Sequence, residues 1–282
     1  MRRIDILVPP AGGAWSAAAA AEFARYRSLL AAAGWDATAR PWPDGPGDVP
    51  ALALLAWGYH QQLERWSDLL AAWPDTVPLL NPPALLAWNT RKTYLLSLEA
   101  AGVPVVPTLF GNAAEAAAAF DRFGTNELVV KPQVSAGSDR TARLRRGMAP
   151  PALADAMLQP FLPSIGEEGE YSLFYLGGRF SHAVRKVAAA GDFRVQPQFG
   201  GTVGPWVPDG EALAVAAAVN RAVPPGALYA RIDLVRRPDG RLALIEYEAI
   251  EPDLYLAYGG RPALLTAALA ERLPDGEFRR RG

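Results

Sequence analysis

Residues 1–80 alternate short apolar runs with longer stretches in which apolar residues recur at helical spacing. The runs predict strands at residues 4–8, 51–57 and 77–80, and the stretches between them predict helices at residues 17–33 and 61–73. Strand and helix alternation of this kind predicts a parallel sheet covered by helices. A proline- and glycine-rich loop is expected at residues 41–47.

The second half of the chain contains apolar runs that are paired across short turns. Two pairs share this pattern: residues 171–176 with 179–186 across a Gly-Gly turn, and residues 228–235 with 242–247 across a Pro-Asp-Gly turn. Each pair predicts an antiparallel hairpin. Helical spacing predicts further helices at residues 84–101, 113–123, 152–157, 211–222 and 262–273. The predicted fold class is therefore α/β, with an α+β C-terminal part.

Composition limits the classes of function. At 282 residues, half of them hydrophobic, the chain can bury two or three packed units. Its 28 basic and 29 acidic residues give no positive field for a nucleic acid. Its apolar runs are far shorter than the roughly 20 residues of a membrane span, and Asp5 interrupts the first of them, so we expect neither a membrane partner nor a signal peptide. We expect a cytoplasmic protein.

The scarcity of metal-binding side chains narrows the choice of metal. The chain has no cysteine, which excludes thiolate nucleophiles and cysteine-ligated metal sites. Its two histidines are His60 and His182; the first is expected to line a pocket or cap a helix, and the second to pack within its hairpin. Any metal is therefore expected to be a hard cation on carboxylates.

Three acids of the last predicted hairpin form the strongest chemical pattern. Glu246 and Glu248 are two residues apart on one strand and share a face, and Asp233 can face them from the partner strand. Crowded carboxylates repel each other unless a cation neutralises them, which suits magnesium. A solvated outer face is the alternative reading. Arg231, on the face of Asp233, is either a salt-bridge partner or a phosphate clamp.

A second pattern points to phosphate. Lys131 lies at the end of a predicted strand at residues 127–132, before a loop that contains Ser135 and Gly137. A lysine at such a position can reach phosphate oxygens that the loop amides also bind. The alternative is a surface lysine before a turn. The apolar strip at residues 157–162 contains a proline and predicts an edge strand, whose unpaired backbone groups could bind an adenine ring.

These patterns, taken in order, resemble those of the ATP-grasp superfamily, particularly the glutathione-synthetase-like and D-alanine–D-alanine-ligase-like enzymes. The resemblance extends from about residue 81 to the C-terminus. It implies nucleotide contacts by Lys92, Lys131, Ser135, Gly137, Gln159, Phe161 and Leu162, and ribose binding by Glu170, with Glu167 and Glu168 as rivals. It also implies that Arg231 contacts the transferred phosphate and that Asp233, Glu246 and Glu248 bind the metal. Many of these families have asparagine where this chain has Glu248.

The resemblance also implies a domain order and a reaction. The expected units are an N-terminal α/β domain (1–82), a small central subdomain (83–160) and a C-terminal antiparallel-sheet subdomain (161–282). The expected activity is ligation of a small carboxylate to an amine through an acyl phosphate, with ATP, two Mg²⁺ ions, or Mn²⁺ in their place, and a homodimeric assembly. Residues 248–254 resemble a subgroup of unassigned ATP-grasp proteins that includes the D-cycloserine ligase. A small-molecule kinase and a silent nucleotide-binding protein are the alternatives.

A glycine-containing stretch at residues 186–201 is expected either to close over the reactants or to be a surface connection with a salt bridge. In the first case Lys186 is a further phosphate ligand and Arg194 holds a substrate carboxylate. The loop after the first strand, with Gly12, Gly13, Trp15 and Ser16, lacks a phosphate-loop motif. By resemblance it faces the acceptor substrate.

Overall fold

The computed structural model describes residues 1–195 and 199–273, and its strands form three sheets. The N-terminal sheet contains β1 (Arg2–Val8), β2 (Trp35–Pro41), β3 (Ala51–Leu52) and β4 (Leu79–Leu80), all parallel, in the order β2-β1-β3-β4. Its helices are α1 (Ser16–Ala32) and α2 (Leu63–Ala71). The predicted parallel sheet is confirmed. The pattern missed β2, because this strand buries only Trp35 and Ala37 of its seven residues.

The central sheet is antiparallel and corrects two predictions. It contains β5 (Leu109–Gly111), β6 (Glu127–Pro132), β7 (Ala142–Arg145) and β8 (Ala156–Pro160), in the order β5-β8-β6-β7, beside α5 (Ala116–Phe123). The predicted helix at residues 152–157 is wrong, because its last residues belong to β8. The predicted edge strand is also wrong, because β8 pairs with β5 at Leu109 and with β6 at Val129. Tertiary pairing here overrides an alanine-rich composition.

The C-terminal sheet confirms both predicted hairpins. It contains β9 (Glu170–Leu176), β10 (Arg179–Val187), β11 (Thr202–Pro205), β12 (Tyr229–Arg236) and β13 (Leu242–Glu248), in the order β11-β10-β9-β12-β13. The remaining helices of this part are α6 (Ser164–Glu167), α7 (Gly210–Ala222) and α8 (Pro262–Arg272). Short 3-10 turns lie at Trp42–Asp44, Tyr59–Gln61 and Ala113–Glu115.

The single helix predicted at residues 84–101 is divided in two. α3 (Pro83–Thr90) ends where Arg91 adopts an extended conformation, and α4 (Tyr94–Ala100) begins three residues later. Within the break, the backbone N–H of Lys92 donates to the carbonyl of Gln133 at 2.8 Å. The break thus ties the start of α4 to the loop that follows β6.

The C-terminal sheet is covered on both faces. On one face, Leu173 and Ile232 pack with Leu95 of α4 and with α7. On the other face, Phe174 packs with Ile4 of β1 and with α8. The N-terminal and C-terminal sheets therefore share one apolar core. Among the described residues, no helix is both long and apolar enough to cross a bilayer. The domain boundaries at residues 82/83 and 160/161 stay a prediction.

Candidate functional site

A central cavity of about 1070 Å³ opens where the three sheets meet. Its volume lies just above the range of roughly 300–1,000 Å³ that is typical of small-molecule sites. The central sheet contributes Lys131 and Gln159, the C-terminal sheet contributes the acids of its last hairpin, and the N-terminal part contributes Tyr59 and His60.

Asp233, Glu246 and Glu248, here called the acid trio, converge on one wall of this cavity. Each offers a carboxylate oxygen, and these three oxygens lie within 4.8 Å of one another. Carboxylate oxygens at this spacing fit a hard divalent cation such as Mg²⁺. Ser172 supports the trio, because its hydroxyl donates to Asp233 at 2.5 Å.

A β-bulge sets the register that brings the acid trio together. Leu234 pairs with Leu244, but Asp233 pairs with Glu246, so Ile245 is an extra residue on β13. Without the extra residue Asp233 would lie opposite Ile245, and both glutamates would point to the other face of the sheet. The bulge therefore places all three acids on the cavity side.

Basic side chains interleave with the acid trio. The guanidinium of Arg231 donates to both oxygens of Asp233 at 2.9 to 3.0 Å and also contacts Glu248. The ammonium of Lys92 lies 3.0 Å from Glu246, and that of Lys186 lies 3.5 Å from Asp233. Each acid of the trio thus has a cationic neighbour.

The surroundings affect the pKa of each acid differently. Burial opposes ionisation of Asp233, but Arg231 and Lys186 outweigh it and lower its pKa to about 2. Burial also opposes ionisation of Glu246, and Lys92 and Lys131 again outweigh it and lower the pKa. For Glu248, burial prevails over Arg231 and raises the pKa well above its usual range. A bound cation would favour the ionised form of all three acids, including Glu248.

Lys131 differs from the other cations of the site. It is 9% exposed, and within residues 1–195 and 199–273 its ammonium has no carboxylate within 4.0 Å, whereas Lys92, Lys186, Arg194 and Arg231 all form ion pairs. Burial lowers its pKa, which the acids nearby partly offset. An unpaired buried cation is suited to an anionic ligand.

Lysine is rare in this chain, and its positions are informative. The sequence has 25 arginines but only three lysines, which are Lys92, Lys131 and Lys186, and all three line the cavity. Arginine supplies the other basic side chains. The rarity of lysine is visible in the sequence alone and marks the same three residues.

Most of the predicted site residues line the cavity. The lining includes Lys92, Lys131, Ser135, Gly137, Gln159, Leu162, Glu170, Lys186, Arg194, Arg231, Asp233, Glu246 and Glu248. Phe161 and Glu167 are outside this lining: the ring of Phe161 lies 3.6 Å from the guanidinium of Arg143, and Glu167 is exposed. The rival Glu168 forms an ion pair with Arg236 at 2.8 Å.

The stretch at residues 186–201 is divided between a strand and a loop. Lys186 belongs to β10, where it also contacts Glu170. Arg194 lines the cavity, pairs with Asp192 at 2.7 Å and lies 3.8 Å from the ring of Phe199. Residues 196–198 lie outside the described residues, so the predicted closure of this loop stays a prediction.

The wall from the N-terminal part is aromatic. His60 makes edge contacts with Trp15 and Tyr59, each with ring centroids 5.8 Å apart, and its Nδ1 is buried with no hydrogen-bond partner within the described part of the chain. Burial lowers its pKa. His182 instead bonds Leu254 and Ser181 at 3.0 Å within the protein, as expected for a packed histidine. The sequence left two roles open for His60, which were lining a pocket or capping a helix, and the structure places His60 in the lining of the cavity.

Glu251 is a cavity residue that the sequence patterns did not single out. Burial raises its pKa to about 7, although Arg231 and Lys92 lower it. In the unfolded chain the pKa of a glutamate is about 4.3, which is lower than in the folded protein. The protonated Glu251 side chain therefore contributes its full stability below that pH, and this contribution is lost as the pH rises to about 7.

We therefore expect Glu251→Gln to raise the thermal midpoint by roughly 2–5 °C at pH 8, because glutamine removes the cost of ionising a buried acid. At pH 5 the midpoints of variant and wild type should differ much less. Thermal unfolding of the ligand-free protein at both pH values measures this, with the exposed Glu167→Gln as a control that should show no such trend. A midpoint difference that is constant from pH 5 to pH 8 would contradict the assignment.

A curated protein is similar to this chain over most of its length. No protein-family profile matches this chain. This chain is 35% identical over 267 residues to the cycloserine biosynthesis protein DcsG of Streptomyces lavendulae, and the similarity covers 82% of this chain and 87% of that protein.

Solved structures show the same fold. The crystal structure of D-cycloserine synthetase DcsG matches with a TM-score of 0.81 and 25% identity, over 96% of this chain and 99% of that one. D-alanyl-alanine synthetase A of Vibrio cholerae O1 biovar eltor matches with a TM-score of 0.67 and 13% identity, over 96% and 98%. The ATP-grasp ligase PsnB, complexed with a phosphomimetic variant of its minimal precursor, Mg and ADP, matches with a TM-score of 0.65 and 16% identity, over 96% and 98%.

Proposed function

The chain belongs to the ATP-grasp family of ligases, and on that premise we propose that its central cavity joins a small, amino-acid-like carboxylate to an amine while converting ATP to ADP and phosphate. The family and fold expected from the sequence are confirmed. One observation carries the proposal: Lys92, Lys131 and Arg231 converge with the acid trio in a single cavity.

The proposed reaction has two steps. An oxygen of the substrate carboxylate attacks the γ-phosphorus of ATP, the bond to the bridging oxygen breaks, and ADP leaves an acyl phosphate behind. The amine nitrogen then attacks the acyl carbon, the bond from that carbon to the phosphate oxygen breaks, and the nitrogen loses a proton. Both steps need positioning and neutralisation of negative charge more than covalent help from the protein.

The cavity provides that neutralisation. Lys131 is buried and has no ion-pair partner in the part of the chain that the structure describes, and we assign it to the nucleotide phosphates together with Lys92. Arg231 lines the cavity beside Asp233 and Glu248 and is suited to the transferred phosphate. The acid trio would hold Mg²⁺, two ions by our proposal, and bound Mg²⁺ supplies further neutralisation of phosphate charge.

The end of β8 is the proposed nucleoside position. Gln159 and Leu162 line the cavity there, and the side chain of Gln159 is fixed by a 2.9 Å bond to the hydroxyl of Thr108. We propose Glu170, which lines the cavity, as the ribose acid. Phe161 and Glu167 are left out of this assignment because neither lines it.

The aromatic wall is the proposed substrate side. Trp15, Tyr59 and His60 line the cavity from the N-terminal part and provide flat surfaces and an imidazole whose pKa is lowered by burial. Because the relative from Streptomyces lavendulae is a cycloserine biosynthesis protein, we propose that the substrate is an amino-acid derivative with a nitrogen nucleophile. Arg194 is the proposed partner of its carboxylate.

Phosphate release from ATP and Mg²⁺, measured over amino acids, short peptides and ureido compounds, tests the proposal. We expect release that requires both a carboxylate and a nucleophile. Lys131→Ala and Glu246→Ala should each lower the rate by at least about 10²-fold, because each removes charge stabilisation from the phosphoryl transfer. Glu167→Ala, a change of an exposed glutamate outside the cavity, should keep the wild-type rate.

Three outcomes would oppose the proposal. Formation of ADP and a stable phosphorylated product without a nucleophile would indicate a kinase. Binding of ATP in calorimetry with no phosphate release in any mixture would indicate a silent nucleotide-binding protein. Equal rates in wild type, Lys131→Ala and Glu246→Ala would refute the assignment of the site.

A further inference from the structure

The strand that carries Glu246 and Glu248 lies at the end of its sheet, because the strand order finishes with β12 and β13. An edge strand presents unpaired backbone N–H and C=O groups on its outer side. In β13 the outer groups of Leu244 bond backbone groups of Pro104 and Val106 at 2.8 and 2.9 Å. The outer groups near the acid trio have different partners.

Side chains take the place of a neighbouring strand beside the acid trio. The hydroxyl of Tyr94 donates to the carbonyl of Tyr247 at 3.0 Å and accepts from the N–H of the same residue at 2.9 Å. The amide nitrogen of Asn89 donates to that carbonyl at 2.7 Å, and its amide oxygen accepts from the N–H of Ala249 at 2.8 Å. Both side chains are buried, with 7% and 4% exposure for Asn89 and Tyr94.

The bonded backbone groups flank both glutamates of the acid trio. Tyr247 lies between Glu246 and Glu248, and Ala249 follows directly. A displacement of the Tyr247 peptide would therefore move both carboxylates at once, because side chains on either side of it share the other face. Sites that bind ions tolerate errors of only about 0.5 Å in ligand position.

The segment of residues 89–94, which contains Asn89 and Tyr94, also reaches the proposed nucleotide side of the cavity. It includes Lys92, whose ammonium donates to the carbonyl of Ser135 at 2.8 Å and pairs with Glu246. The segment thus contacts the loop after β6 and the strand of the acid trio simultaneously. The break between α3 and α4 is what allows Asn89, Lys92 and Tyr94 to point to these different partners.

We propose that Asn89 and Tyr94, both of which line the cavity, are positioning residues: they fix the metal-binding strand through its backbone at Tyr247 and Ala249, and they set metal affinity in this way. The proposal rests on the proposed function, because it concerns the same acid trio. Residues that orient metal ligands typically change metal affinity by about 10- to 100-fold when they are replaced.

Tyr94→Phe is the sharpest test, because it removes one hydroxyl and keeps the ring. In calorimetry with ADP present, we expect the dissociation constant for Mn²⁺ to rise about tenfold, while the dissociation constant for ADP in metal-free buffer changes less than twofold. Asn89→Ala should act in the same direction. In the ligand-free protein, amide hydrogen exchange at Tyr247 should become faster in Tyr94→Phe.

Tyr229→Phe is the matched control. The hydroxyl of Tyr229 is also buried and donates to a backbone carbonyl, that of Ile250, at 3.0 Å; within residues 1–195 and 199–273 it forms no hydrogen bond with a residue of β13. Its loss should lower the thermal midpoint about as much as the loss of the Tyr94 hydroxyl while leaving Mn²⁺ affinity unchanged.

The outcomes separate the two proposals. If wild-type protein fails to bind Mn²⁺ with ADP present, the proposed function is refuted and the positioning role with it. If wild type binds and both Tyr94→Phe and Asn89→Ala bind Mn²⁺ equally well, the positioning role alone is refuted. Equal weakening by Tyr94→Phe and Tyr229→Phe would show a general effect of stability and would likewise overturn it.

Discussion

Replacing Arg231 with methionine should lower kcat for ligation by about 10³-fold and the free energy of unfolding by about 3–5 kcal/mol. The activity falls because the guanidinium no longer neutralises charge on the transferred phosphate. The stability falls because Asp233, which is 1% exposed, loses the cation that bonds both of its oxygens. Single-turnover kinetics and urea unfolding of the ligand-free protein measure the two effects.

Arg236→Met is the control for this experiment. Arg236 is on the same strand and pairs with Glu168 at 2.8 Å, but its side chain is 26% exposed and it does not line the cavity. A solvent-accessible pair of this kind contributes about 0–1 kcal/mol, so stability and kcat should change little. If Arg231→Met and the wild type have the same urea midpoint, the ion pair between Arg231 and Asp233 does not stabilise the fold as predicted.

Asn81→Ala should destabilise the fold by about 4 kcal/mol or more without altering any cavity residue. Asn81 is fully buried, and its amide nitrogen donates to the carbonyls of Tyr229 and Ala249 at 2.8 and 2.7 Å. Its amide oxygen accepts from the N–H groups of Leu228 and Tyr229. Alanine leaves several buried backbone groups without partners, at about 1–3 kcal/mol each. The loss is a large part of the roughly 5–15 kcal/mol that stabilises a typical protein.

The midpoint of urea unfolding measures this loss, and Asn112→Ala provides the comparison. Asn112 is exposed, and its side chain accepts one bond from the N–H of Ala114 at 2.9 Å, so its replacement should cost only about 0.5–1 kcal/mol. Similar midpoints for the two variants would mean that the backbone groups around Asn81 find other partners.

Local patterns predicted the parts of the fold that local chemistry determines. Gly-Gly and Pro-Asp-Gly turns between apolar runs were sufficient to locate both hairpins of the C-terminal sheet. The pattern failed for residues 152–157, where alanines favour a helix but pairing with two strands decides the outcome. It also gave no sign of the break after α3, because neither glycine nor proline marks it.

The candidate site was predictable in its residues and not in its geometry. Two-residue spacing identified Glu246 and Glu248 as a pair, but their position opposite Asp233 depends on the extra residue Ile245, which only the paired strands reveal. The roles of Asn89 and Tyr94 depend on contacts more than 150 residues away along the chain, so no local pattern contains them. The interpretation of Phe161 and Glu167 as ligands came from resemblance, and neither side chain lines the cavity.

The restriction of lysine to the cavity gives the protein a built-in chemical probe. Apart from the α-amino group of Met1, the only primary amines of the chain are those of Lys92, Lys131 and Lys186. An acylating reagent that modifies amines should react first at Lys131, whose pKa is lowered and whose ammonium has no carboxylate within 4.0 Å in the described part of the chain, while arginine side chains do not react with it. Protection of this lysine would then report occupancy of the cavity. Mass spectrometry of labelled peptides could follow each of the three amines separately as a ligand is titrated.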